Sequence, residues 1–189
     1  MSLDLVASIA LGIGLAAAVG FRVFLPLLVA SAAACTGHLE LSQGFAWLGT
    51  TPALVMLGVA TSLEILAYYV PGVDNLLDAL ATPAAVVAGI VISAAVMVDL
   101  PPLVKWSMAI IAGGGAAGLT QTLTALLRAK STVLTGGFGN PVVATAELGG
   151  ALIASVLALL VPLVAIALFM VFCWVAIRLI RRARSRADK

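Results

Sequence analysis

The stretch 5–34 passes with a single charged side chain, Arg22, and a single proline, Pro26. About 20 apolar residues of helix cross the hydrocarbon core of a bilayer, so a run of this length points to lipid. Composition supports that. Of 189 residues, 63% are hydrophobic and 10% charged, and mean hydropathy is +1.22. A water-soluble domain carries roughly a quarter charged residues; this chain has too little polar surface to coat one.

Further apolar runs follow at 52–70, 83–98 and 103–127, and a long one occupies 141–180. The last exceeds one bilayer at about 1.5 Å per residue, and Pro162 lies near its middle. Either the chain turns there or one long helix kinks and tilts. Basic residues arbitrate, because Lys and Arg collect on the cytoplasmic side. A turn at Pro162 puts Arg128, Lys130 and the C-terminal cluster on one side and leaves Lys105 alone on the other. The expected fold is therefore an all-α integral membrane protein. It is a six-span helical bundle with spans at about 5–34, 52–70, 83–98, 103–127, 141–161 and 162–180. A basic tail at 181–189 follows, and both termini lie in the cytoplasm. The first apolar run lacks a basic leader and is too long for a cleaved signal, so it is read as a retained helix.

The C-terminal basic run has no interleaved aromatics, which argues against a nucleic-acid partner. Cys35 and Cys173 have neither metal nor redox spacing, and His38 has no catalytic companion in sequence. No enzyme, cofactor or metal is expected. The segment Ile9–Ala16 resembles Ile110–Ala117, and Thr82-Pro83 and Asn140-Pro141 each stand before an apolar run. Two inverted three-helix repeats with broken or re-entrant helices would produce such a pattern.

Charges within spans are the informative exceptions, since each costs roughly 2.5–3.5 kcal/mol at mid-helix. Three fall there: Arg22 near the middle of the first run, Glu64 in the second and Glu147 in the fifth. A guanidinium cannot shed its proton, so Arg22 requires a carboxylate or a polar cavity, and Glu64 on the neighbouring span is the favoured partner. The three either staple the bundle or line a polar cavity.

Asp74 and Asp78, four residues apart after Pro71-Gly72, suit a short re-entrant or interfacial helix that binds something cationic, or a solvated loop helix. Thr135–Gly139 has the look of a potassium-filter loop. A full-length span and two bases precede it, however, so the glycines are read as a turn and Asn140 as a cap with Pro141 at the first helical position. An exposed helix N-terminus there favours anions, whereas Glu147 two turns on favours a cation or proton. Small-residue spacings at Gly12/Ala16/Gly20, Gly114/Gly118 and Gly58/Ser62 permit close helix contact, within the chain or between copies.

These motifs together carry a resemblance. Gly20-Phe21-Arg22-Val23-Phe24-Leu25-Pro26-Leu27, then Glu64 with Pro71-Gly72-Val73-Asp74, then Gly137-Phe138-Gly139-Asn140-Pro141 with Glu147, resemble a family of small multi-pass bacterial inner-membrane proteins catalogued as a domain of unknown function. The resemblance runs over nearly the whole chain and implies a bacterial inner-membrane location but no activity. Many members of the resembled family read Asp-Lys between the glutamate and Pro-Gly-Val-Asp; this chain has Tyr68-Tyr69 there, so no role of such a charged pair carries over. The expected function is a small transporter or channel for an ion or small solute. Its candidate residues are Arg22, Glu64, Asp74, Asp78, Asn140 and Glu147, and its expected partners are membrane lipids and further copies of the chain. The alternative is a non-transporting assembly or lipid-interacting module.

Overall fold

Backbone in lipid must satisfy its own N–H and C=O groups, which leaves the helix as the open choice for apolar runs like these. The computed structural model describes residues 3–70, 73–98 and 100–187, and its regular structure over them is entirely helical. In chain order the helices are α1 (Leu3–Val19), α2 (Phe24–Cys35), a 3₁₀ segment (Gln43–Gly49), α3 (Thr51–Tyr68) and α4 (Val73–Val96). A continuous helical rod follows, made of α5 (Pro102–Met108), a π segment (Ala109–Gly114) and α6 (Gly115–Thr135). Then come α7 (Asn140–Leu160) and α8 (Pro162–Ala187). Among the described residues, four stretches are long and apolar enough to cross a membrane: Thr51–Tyr68, Ala79–Val96, Pro102–Thr135 and Asn140–Leu160. Large apolar side chains such as Leu103, Ile111 and Met56 face outward, as lipid permits and water does not.

The first apolar run departs from the expected single span. It reverses at Gly20–Val23, so that α1 and α2 form a hairpin. The backbone levels establish this. Ser93 Oγ donates to Gly12 O at 2.9 Å, and Ser42 N–H donates to Ala95 O at 2.8 Å, so residues 12 and 42 lie beside the same turn of α4. One unbroken helix would put Gly12 and Cys35 roughly 35 Å apart. With twelve residues, α2 is about 18 Å long and falls short of the roughly 30 Å core.

Three further boundaries differ from expectation. The Asp74–Thr82 segment is not a separate short helix. It is the first part of α4, with Pro83 inside that helix, because the Leu- and Ala-rich residues around it favour helix up to and past the proline. Residues 128–135, which fall between the expected spans 103–127 and 141–161, continue α6, since no glycine or proline intervenes before Gly136. Gly136 and Gly137 then supply the positive φ values, 63° and 91°, that end the helix and turn the chain. At Val161-Pro162 the chain turns rather than kinks. A Cβ on Gly14 of α1 would lie 3.0 Å from Ala158 and 3.3 Å from Ala165, and the Phe21 ring meets both Gly150 and Phe172. Thus α8 runs back along α7 and parallel to α1.

That parallel course places the start of α1 and the end of α8 at opposite ends of the bundle, unlike the expected pair of cytoplasmic termini. It also bears on the repeat. Gly12 and Gly113 both pack on Ser93, and Gly20 and Ala117 meet further down, so α1 and the α5–α6 rod run the same way. Inverted copies would run oppositely. The small residues serve contacts within the chain: Gly114 and Gly118 seat against Ile90 and Val86, while Gly58 has nothing within 4 Å. Alanines 16, 17, 85, 88, 95 and 117, with Leu15, Val19 and Ile92, form the core between α1, α4 and α6.

Candidate functional site

The hairpin tip, the end of α3, the second half of α6 and the first turns of α7 meet at one level of the bundle, and the buried charges collect there. Arg22 sits in the tip itself, 1% exposed. Its Nη2 donates to Ala144 O at 2.9 Å and lies 3.6 Å from Glu147 Oε2. Arg128 of α6, also 1% exposed, donates from Nε to Glu147 Oε1 at 3.0 Å. One carboxylate thus bridges two guanidiniums, and both lie over the Tyr68 ring, at 3.9 Å for Arg22 and 4.3 Å for Arg128. The ring face offers them a second negative surface.

Glu64 has a different task. A helix start leaves its first N–H groups without acceptors, and Val23, at the N-cap of α2, supplies no side-chain acceptor. Glu64 supplies it from α3: Oε1 accepts from Val23 N–H at 2.7 Å and Oε2 from Phe24 N–H at 3.1 Å. The carboxylate also sits at the positive end of the α2 dipole. It therefore fixes the reversal that carries Arg22 inward. The expected Arg22–Glu64 pair is replaced by Arg22–Glu147, because Glu64 spends both oxygens on the neighbouring backbone.

Asn140 is the first residue of α7 rather than its cap, and its Nδ2 donates to Thr132 Oγ1 at 2.8 Å, tying α7 to α6 one turn beyond Arg128. The backbone of Asp74 and Asp78 belongs to the first turns of α4; their side chains lie outside the described residues. Of the expected set, Arg22, Glu64, Glu147 and Asn140 are brought together. Arg128 and Tyr68 complete the cluster and were not anticipated. Arg128 continues a polar stripe, Thr120, Thr124, Arg128, Thr132, at a four-residue spacing that marks one helix face. Tyr68 closes the second half of α3 and presents its aromatic face beneath the two cations. His38 stays apart, exposed at the far end and bonded through Nδ1 to Thr36 Oγ1 at 3.0 Å.

An apolar groove of about 490 Å³ runs between α3 and α4 up to this cluster. Phe24, Leu63, Tyr68, Leu80 and Ala84 line it, and Glu64 supplies its carboxylate among the described residues. Leu63 and Leu80 are exposed, so the groove borders the outer, lipid-compatible surface. No group of three or more His, Cys, Asp or Glu suited to a metal occurs among the described residues.

Fold and site together define a helical membrane protein built around a buried cluster of two arginines, two glutamates and a tyrosine at the tip of a helical hairpin. The chain belongs to the family described as Domain of unknown function (DUF4126), which it matches over residues 9–182. Neither a curated protein nor a solved structure matches it.

Proposed function

We propose that the protein is a small transporter or channel for an ion or small solute, with its site at the hairpin tip. One observation carries the reading: a helical reversal level with the last turns of α3 holds Arg22 buried among Glu147, Arg128 and Glu64. Helices interrupted within the membrane and charged groups at the interruption are the usual construction of solute sites in transporters. In this reading Glu147 is the carboxylate that exchanges a proton or ion, Arg22 and Arg128 are its counter-charges, and Glu64 positions the tip.

The proposed topology has α3, α4, the α5–α6 rod, α7 and α8 as crossings, five in place of the expected six, with α1–α2 as a re-entrant hairpin. The end holding Arg22, Arg128, Lys130 and the basic tail faces the cytoplasm of a bacterial inner membrane, following the bias of basic residues, and Lys105 alone lies opposite. Self-association would use the open Gly58/Ser62 face of α3.

A second reading, a non-transporting membrane module, is favoured by the self-pairing of the cluster, whose carboxylates bond protein donors. Flux separates the two. Proteoliposomes with wild-type protein are expected to pass a solute from a panel of inorganic ions, protons and small metabolites above protein-free background. Glu147→Gln should reduce that flux at least about tenfold, the effect of losing roughly 1.4 kcal/mol at a rate-limiting step. Background flux for every solute in the panel would leave the module reading standing and remove the transporter.

A further inference from the structure

Arg22 carries five N–H donors, and those on Nε and Nη1 have no acceptor among the described residues although both atoms are buried. Two side chains on α6, on the turn against which Gly20 of the tip packs, share this state: Gln121 Nε2, in a residue 1% exposed, and Thr120 Oγ1, fully buried. They flank the same turn of chain. Gly20, two residues before Arg22, packs directly on Thr120 and the backbone of Gln121, and Thr124 Oγ1 donates to Gly20 O at 3.4 Å. A buried donor without an acceptor costs about 1–3 kcal/mol, so several of them on the tip and on the α6 turn packed against it call for something that accepts.

A water molecule suits such a place poorly. It donates two hydrogen bonds as readily as it accepts two, and the unfilled groups here are mainly donors. An anion accepts only. The surroundings are also closed, with the side chains of Arg22, Thr120 and Gln121 almost wholly shielded, which restricts the ligand to a few atoms. We propose that the hairpin tip binds a small monovalent anion, of halide, nitrate or formate size, between Arg22 and the Thr120–Gln121 turn of α6. This rests on the transport reading for its role as cargo, but not for its existence as a site.

The test uses the full-length protein in detergent and reads its thermal unfolding midpoint against sodium chloride, nitrate and formate, with gluconate holding ionic strength constant. At saturation by a small anion the midpoint should rise on the order of 5 °C, and gluconate alone should leave it unchanged. Gln121→Glu delivers a carboxylate to the same donors. That variant should start with a raised midpoint and lose the anion response. Gln121→Leu removes one donor and should raise the half-saturating concentration about tenfold, the factor for a lost 1.4 kcal/mol. No saturable response in the wild type, or an unaltered response in both variants, overturns the site. If Gln121→Glu fails to fold, the Gln121→Leu titration decides alone, and an unchanged half-saturating concentration there overturns the proposal. Anion binding without flux would remove the transporter and keep this site; cation flux without anion binding would do the reverse.

Discussion

Glu147→Gln should lower the stability of the purified protein by about 3–5 kcal/mol, the range for breaking a buried ion pair by removing one partner. Glu147 is the most sensitive position in the cluster because it serves two cations at once, Arg128 at 3.0 Å and Arg22 at 3.6 Å. Neither guanidinium can deprotonate to escape, and both already crowd one tyrosine ring. Glutamine keeps the shape and an acceptor but removes the charge, so the loss reads electrostatics rather than packing. Removing a cation along with the anion should help: Arg128→Met combined with Glu147→Gln should be less destabilised than the sum of the two single changes. Thermal unfolding in detergent of the wild type, both singles and the double measures that coupling, and strictly additive losses would show that the two side chains do not interact.

Gly20→Ala is the second large effect. A Cβ at position 20 would lie 2.5 Å from Ala117 O and 2.9 Å from Gln121 N, besides overlapping Thr120 Cβ. Two of those atoms are backbone and cannot rotate away, so α1 and α6 must separate to admit a methyl group. Overpacking of this kind costs about 1–3 kcal/mol, and here it also shifts the tip that carries Arg22. Gly58→Ala is the control: its Cβ meets nothing within 4 Å, and helix propensity favours alanine by up to about 1 kcal/mol. The two variants should therefore move the unfolding midpoint in opposite directions. A Gly20→Ala protein as stable as Gly58→Ala would mean that the hairpin does not dock on α6 as described.

How much of this was readable from the residues depends on which physical constraint each feature obeys. Membrane residence follows from composition, since 10% charged residues cannot coat a globule. That Arg22, Glu64 and Glu147 belong together follows from the cost of an isolated charge in lipid, which holds whatever the topology. Their pairing does not follow. Proximity of consecutive spans favoured Glu64 for Arg22, but the chain reversal exposes the N–H groups of Val23 and Phe24, and Glu64 goes to them.

The reversal itself is hidden because hydropathy carries no direction. Residues 5–34 are apolar on both sides of Gly20, and a hairpin and a straight helix give the same profile. The burial of Arg128 is hidden for a related reason. Next to Lys130 at the end of an apolar run, it resembles a cytoplasmic boundary, and only the four-residue stripe from Thr120 to Thr132 indicates a helix that continues with its polar face turned inward. Pro83 misleads in the opposite sense. A proline ahead of an apolar run suggests a helix start, yet α4 passes through it.

The geometry of the site depends on the reversal at Gly20–Val23, and the sidedness of single cysteines tests that reversal most directly. In a background with Cys35 and Cys173 replaced by alanine, Asp4→Cys, Gly44→Cys, Lys130→Cys and Ser185→Cys are each exposed in intact cells to a membrane-impermeant maleimide. Asp4, Gly44 and Lys130 are solvent-exposed positions, so reagent access follows sidedness. The hairpin predicts that Asp4→Cys and Gly44→Cys react from the outside, while Lys130→Cys and Ser185→Cys react only after the membrane is permeabilised. Protection of Asp4→Cys together with Lys130→Cys and Ser185→Cys, with Gly44→Cys alone reactive, would restore a single first crossing with both termini inside and contradict the account.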